Sequence, residues 1–225
     1  MNQYNFINRH MKPLRRVRSG VLNSMPSSIG HRYNVTLSHK YNLIWFRVAK
    51  VGTRSVLALM QDADAEVVIN YPKWKSLQSK GMNNYSAVSF VRNPYDRLVS
   101  AWKNKIVDKN LFRLDAELLE RLQCFDHFVE YVSQFDLTNA DVHLRPQYRL
   151  MDIKRMNHIG KMESFNEDCH RIFGGLGIKM DKLSRANASS PSSKPSLDYY
   201  SSRSMNIANK IYARDFQEFG YIMVD

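Results

Sequence analysis

The sequence predicts an α/β fold, and three observations predict it. A short apolar run, Val88 to Val91, leads through Arg92 and Asn93 into an amphipathic helical pattern. An earlier run, Tyr41 to Val48, rich in β-branched and aromatic residues, leads through a loop into a second helical pattern that begins with Val56, Leu57, Leu59 and Met60. The chain of 225 residues, 44% hydrophobic and without an internal repeat, is long enough for one substantial core. In such folds, ligand-binding groups stand where a strand's carboxyl end turns into a helix.

Residues 1–39 read as a basic N-terminal extension. They include MKPLRRVRSG (11–20), which no apolar run of signal-peptide or transmembrane length follows. Residues 40–225 read as a single domain. Its first strand ends in AKVGTRS (49–55), a loop that exposes backbone amides, with Gly52 allowing close approach to a phosphate. Lys50, Thr53, Arg54 and Ser55 add donors around Val51 and Gly52. The loop is not a Walker A sequence, because there the lysine follows the last glycine and here Lys50 precedes Gly52. That order speaks against an ordinary nucleotide kinase.

The second unit, FVRNPYDRLVSAWKNK (90–105), carries a helix start at Pro94: Asn93 suits the cap, Pro94 the first position and Asp96 the first turn. Leu98, Trp102 and Ile106 recur every four residues as a core face, so Arg97, Ser100 and Lys103 are expected to point elsewhere. Arg92 and Ser100 are candidate anion ligands. Near the end of the chain, Met205, Ala208, Ile211 or Tyr212, Asp215 or Phe216, and Phe219 follow helical spacing, with Gly220 as the stop. Between these units, SRANASSPSSKPS (184–196) has no periodicity and reads as a loop.

A formal net charge of +12 implies an anionic partner: a nucleotide, an acidic glycan, nucleic acid or a membrane surface. Charge alone does not choose among them. The two cysteines, Cys124 and Cys169, have no metal-ligand spacing and read as free buried thiols, with a single disulfide between them as the alternative. No metal site is expected.

Together, the 41–58 and 90–105 stretches resemble the PAPS-dependent sulfotransferase superfamily (PAPS, 3′-phosphoadenosine 5′-phosphosulfate). The likeness is to its carbohydrate branch, which holds the Golgi enzymes and bacterial relatives of sulfotransferase family 2 type. NHIGKMESFNED (157–168) and residues 199–221 are similar to that family's late strand-helix unit and closing helix. The resemblance implies a P-loop-like three-layer fold, with a central, mainly parallel sheet flanked by helices on both faces. It implies that Lys50 contacts the oxygen bridging phosphate and sulfate, and that the backbone from Val51 through Gly52, Thr53 and Arg54 to Ser55 cradles the 5′-phosphate. Arg92 and Ser100 take the 3′-phosphate, joined from the 184–196 loop by Arg185 or Lys194. No metal is implied.

DVHLRPQYRL (141–150) resembles a family segment near the active cleft, which makes His143 the candidate general base. A structural histidine bonding the backbone before Pro146 is the other reading, and His127, Glu66 and Asp62 are rivals for the base. Arg145 and Gln147, if they share the cleft, would hold the acceptor, to which residues 73–84 and 108–141 could also contribute. The expected reaction moves the sulfuryl group from PAPS to a hydroxyl, on a glycan, releasing 3′-phosphoadenosine 5′-phosphate (PAP). No nucleic-acid partner is expected. By comparison with the membrane-anchored Golgi relatives, a cytoplasmic enzyme is expected, with a Golgi lumenal one as the alternative if further sequence precedes this chain. The sequons at Asn34, Asn84 and Asn187 then carry no glycan. Two other classes stay open: a P-loop phosphotransferase using ATP and Mg²⁺, and a non-catalytic basic module for polyanions.

Overall fold

The computed structural model describes residues 33–60, 65–71, 81–179 and 194–225. The basic segment at 1–32, Asp62, Arg185 and Asn187 lie outside them.

Five strands form one sheet: β1 (Tyr33–Ser38), β2 (Leu43–Phe46), β3 (Ala65–Tyr71), β4 (Ser86–Val91) and β5 (His158–Lys161), in the order β3-β1-β2-β4-β5. β2 pairs parallel with β4 and β4 parallel with β5, whereas β1 is antiparallel to both β2 and β3. β3 therefore runs with β2, β4 and β5, so the sheet is mainly parallel, as expected. β1 lies inside this sheet and starts at Tyr33, ahead of the boundary placed at residue 40. Its paired backbone and the buried Val35 and Leu37 make it part of the core and not of a tail.

Central strands buried on both faces read as continuous apolar runs. β2 is wholly buried, and β4 is buried from Ala87 to Val91. Phe90 packs on Phe165 and Phe173 at centroid distances of 5.3 and 5.8 Å. Its ring also lies over Gly160 of β5, where a Cβ would stand 2.5 Å from the Phe90 Cε1 atom. Within the sheet, the Ser89 hydroxyl donates to the Phe46 carbonyl at 2.9 Å and ties β4 to β2.

Among the described residues there are six α-helices: α1 (Thr53–Leu59), α2 (Pro94–Trp102), α3 (Ala116–Arg121), α4 (Phe125–Ser133), α5 (Phe165–Cys169) and α6 (Ser202–Phe219). Residues of α1 and α5 share the sheet's core, while α2, α3, α4 and α6 enclose a second core around Trp102, Phe125 and Phe216. α2 starts as expected: the Asn93 side chain accepts from the Tyr95 amide at 3.0 Å, and Pro94 occupies the first turn. Leu98, Trp102 and Ile106 are buried, and the Trp102 indole donates to the Leu122 carbonyl at 2.8 Å. Arg97, expected to point away from the core, is instead 2% exposed. α2 packs on more than one side, and the long arginine reaches the two loops described below.

Past Trp102 the helix widens into a π-helical turn, Lys103–Val107. α6 carries the reciprocal Ser201 and Ser204 cap at its start and Gly220, at φ 62°, at its end. Of the alternatives read for its buried face, Tyr212, Asp215 and Phe216 are all buried, and a local kink at Tyr212 accommodates them. Both cysteines are free. Cys169 is buried as expected, its thiol pushed up to about 12 by burial and then by Asp168; Cys124 is exposed, because it caps α4 and does not enter its core face. No helix among the described residues is long and apolar enough to cross a membrane.

Candidate functional site

Parallel pairing of β2 and β4 places their two strand-to-helix loops side by side, with the end of β5 next to them. A cleft of about 800 Å³ opens there, and its wall includes Lys50, Gly52, Thr53, Arg54, Ser55, Arg92, Ser100 and His143. Two segments far apart in sequence thus converge with a third.

The first wall is the loop after β2. Val51 is fully buried, and Lys50 (φ 73°) and Gly52 (φ 69°) on either side of it adopt left-handed backbone. The buried valine anchors the turn while its neighbours face the cleft. Left-handed backbone costs a lysine about 1–2 kcal/mol, so Lys50 is held there by its surroundings. Gly52 has no such cost, but a Cβ there would press on Met162 and Phe165 at 3.2 and 3.3 Å. The Ser55 amide is bonded to the Gly52 carbonyl at 2.9 Å, so the amides ahead of it have no helical acceptor and are available to an anion. The Thr53 hydroxyl donates to the Val48 carbonyl at 3.2 Å, which closes the loop and leaves its oxygen lone pairs for a donor.

The second wall is Arg92 and α2. Gln147 grips the Arg92 backbone from both sides, accepting its N–H at 3.0 Å and donating to its carbonyl at 2.8 Å. The Asn93 amide donates to Glu163 at 2.7 Å. Ser100 faces the cleft from α2, and Asn104 lines it from the π-helical turn, a feature that often re-aims side chains at functional sites.

His143 forms the third wall. Its Nδ1 lies 2.6 Å from Asp141 Oδ1, which also accepts the His143 amide at 2.9 Å. Burial works to raise the Asp141 carboxyl, but the hydrogen bonds and charge of His143, with help from Lys105, hold it below its usual range. With Nδ1 committed to a carboxylate, Nε2 is the ring atom left for proton transfer. The Lys50 amine is pulled down to about 8, first by burial and then by Arg92, Lys105 and Arg54, with Asp108 opposing.

Several expected roles fall away. Gln147 is fully buried against the Arg92 backbone, and the Arg145 guanidinium donates to the Ala140 carbonyl at 3.1 and 2.9 Å; neither is in the cleft wall. His127 is exposed outside the cleft, with Nδ1 against the Arg121 carbonyl. Glu66 sits on β3, which is separated from β2 by β1. Lys194 lies over the Tyr199 ring at 4.5 Å. Conversely, Asn34, Arg47 and Met162 line the cleft unforeseen. Asp141 was legible only as a carboxylate two residues before a histidine.

A family model describing sulfotransferases matches residues 33–222, from β1 to beyond α6. The chain belongs to the sulfotransferase family. No curated protein and no solved structure gives a significant match to this sulfotransferase. The match is to the family-2 type expected from the two loops, and it marks the chain as a transferase that moves a sulfuryl group. Both loops fall within the matched span.

Proposed function

We propose that this sulfotransferase takes the sulfuryl group from PAPS and delivers it to a hydroxyl of a carbohydrate. One observation carries the proposal: a single cleft holds the Lys50–Ser55 loop, the Arg92–Ser100 pair and a histidine already bonded to a carboxylate. Two anion sites flanking a base are what an in-line transfer from a doubly phosphorylated donor requires. Arg92 and Ser100 would hold the 3′-phosphate, and the amides of residues 51–54 the 5′-phosphate.

In the step itself, the acceptor oxygen attacks sulfur and its proton passes to Nε2 of His143. The bond from sulfur to the bridging oxygen breaks, and Lys50 donates to the phosphate oxygen left behind on PAP. Asp141 stabilises the imidazolium that forms. The carbohydrate acceptor rests on the likeness to the carbohydrate branch, and the cationic walls favour one that is anionic.

Calorimetric titration with PAP, AMP and ADP plus Mg²⁺ tests the donor. PAP binding at least tenfold tighter than AMP is expected, as is incorporation of label from PAPS into a glycan. Equal binding of PAP and AMP would overturn the donor assignment. A preference for ADP with Mg²⁺ would point to phosphoryl transfer, and affinity set by salt alone to a polyanion module.

A further inference from the structure

Beneath the cleft lie buried ionisable side chains that the transfer step does not use. Arg97 is 2% exposed and Asp215 0%. Arg97 Nε donates to the Ala49 carbonyl at 3.1 Å, and Nη2 donates to the Val142 carbonyl at 2.9 Å. These carbonyls belong to the residues directly before Lys50 and His143. One planar guanidinium therefore spans the two segments that present the amine and the imidazole, with its donors in a fixed fork.

Asp215 supports the other wall. Its carboxylate accepts the Gln147 amide at 2.8 Å and the Tyr148 amide at 2.9 Å, and the Gln147 side chain grips the Arg92 backbone. Burial raises the Asp215 carboxyl above the usual carboxylate range, with the Arg97 charge and the hydrogen bonds from Gln147 and Tyr148 opposing it. A buried polar network is a poor device for stability alone, because apolar residues of similar volume often do as well. Its geometry suits a different purpose.

We propose that Arg97 and the Asp215–Gln147 pair are positioning residues with divided tasks: Arg97 sets the spacing of Lys50 and His143, while Gln147, seated by Asp215, aims Arg92 at the donor's 3′-phosphate. This rests on the sulfotransfer reading above. It adds that turnover and donor recognition are tuned from separate buried contacts.

Arg97→Lys and Gln147→Met separate the two arms. Arg97→Lys keeps the charge but loses the fork. Its kcat for transfer from PAPS is expected to fall roughly 10- to 100-fold, the scale of losing a buried support or misplacing a reacting group by about 1 Å, with the PAP Kd within about threefold of the parent. In a His143→Ala background the effect of Arg97→Lys should shrink to below about threefold, because the pair it spaces is already broken. Gln147→Met is expected to weaken PAP by about tenfold or more and leave AMP binding unchanged, which erases the preference for the 3′-phosphate.

Several results would overturn the division of tasks. One is Arg97→Lys losing PAP affinity in step with kcat; another is its effect persisting undiminished without His143. A third is Gln147→Met weakening PAP and AMP alike. If Arg97→Lys does not fold, Arg97→Gln, which keeps one planar donor, is measured in the same way. Failure of both to reach the parent's circular dichroism spectrum would assign Arg97 to the fold alone. Wild-type protein that binds PAP no better than AMP would instead refute the sulfotransfer reading, before any variant is made.

Discussion

Lys50 shows how much of the site is decided by a single residue's surroundings. Its native amine, at about 8, lies below the 10.5 of an unperturbed lysine because of burial first and of Arg92, Lys105 and Arg54 next. At neutral pH it is still protonated and able to donate to the leaving phosphate. Raising the pH through about 8 removes that proton, so kcat/KM, which reports the free enzyme, should fall there; Lys50→Arg should abolish that limb of the profile. Between pH 8 and 10.5 the unfolded chain binds more protons at this position than the native one, so stability should rise with pH in that window. Lys50→Met is expected to be inactive yet to melt higher at pH 7. For the base, His143→Ala should lower kcat by about 10²–10⁴-fold, and Asp141→Asn, which keeps the imidazole but weakens its orientation, by about 10–100-fold. An unchanged kcat in His143→Ala would remove the base assignment. The histidine was visible in the sequence, but its carboxylate partner became meaningful only when the turn folded Asp141 back onto Nδ1.

At the level of elements, the cleft depends on how closely β4, β5 and α5 pack. The Phe90 ring fills the space over Gly160 between two further aromatic rings, Phe165 and Phe173. Gly160→Ala places a methyl inside that ring's contact distance and should destabilise the protein by about 1–3 kcal/mol in chemical denaturation, the usual cost of overpacking. Loss below about 0.5 kcal/mol would mean that the sheet relaxes there without strain. The start of α2 was readable because Asn93, Pro94 and Asp96 act within one turn of chain. The burial of Arg97 was not, since helical spacing assigns a residue to a face but does not say how many faces are covered. The π-helical turn after Trp102 was equally hidden: it follows from how the chain leaves α2, and no residue type announces it.

For the whole molecule, the +12 charge and the cleft make opposing forecasts about salt. A site built from specific donors should keep its preference for PAP over AMP as salt rises, even while the affinity itself weakens. PAP at about 100 times its Kd should add about 2.7 kcal/mol of stability, and thermal unfolding in 0.05 and 0.5 M salt would show whether the preference survives. Disappearance of the preference at the higher salt would favour nonspecific anion binding.

The two strand-loop-helix units and the Asn93 cap of the second helix were legible in the sequence alone, because each is local: a few neighbouring residues set the backbone. The tertiary structure decided which distant segments share the cleft. It brought Lys50, Arg92 and His143 together, excluded Arg145 and Gln147 from the wall, and placed Arg97 beneath it. The physical reason is that strand order and side-chain burial are cooperative properties of the whole packed chain, in which a residue's partners are chosen by the fold and not by its neighbours in sequence.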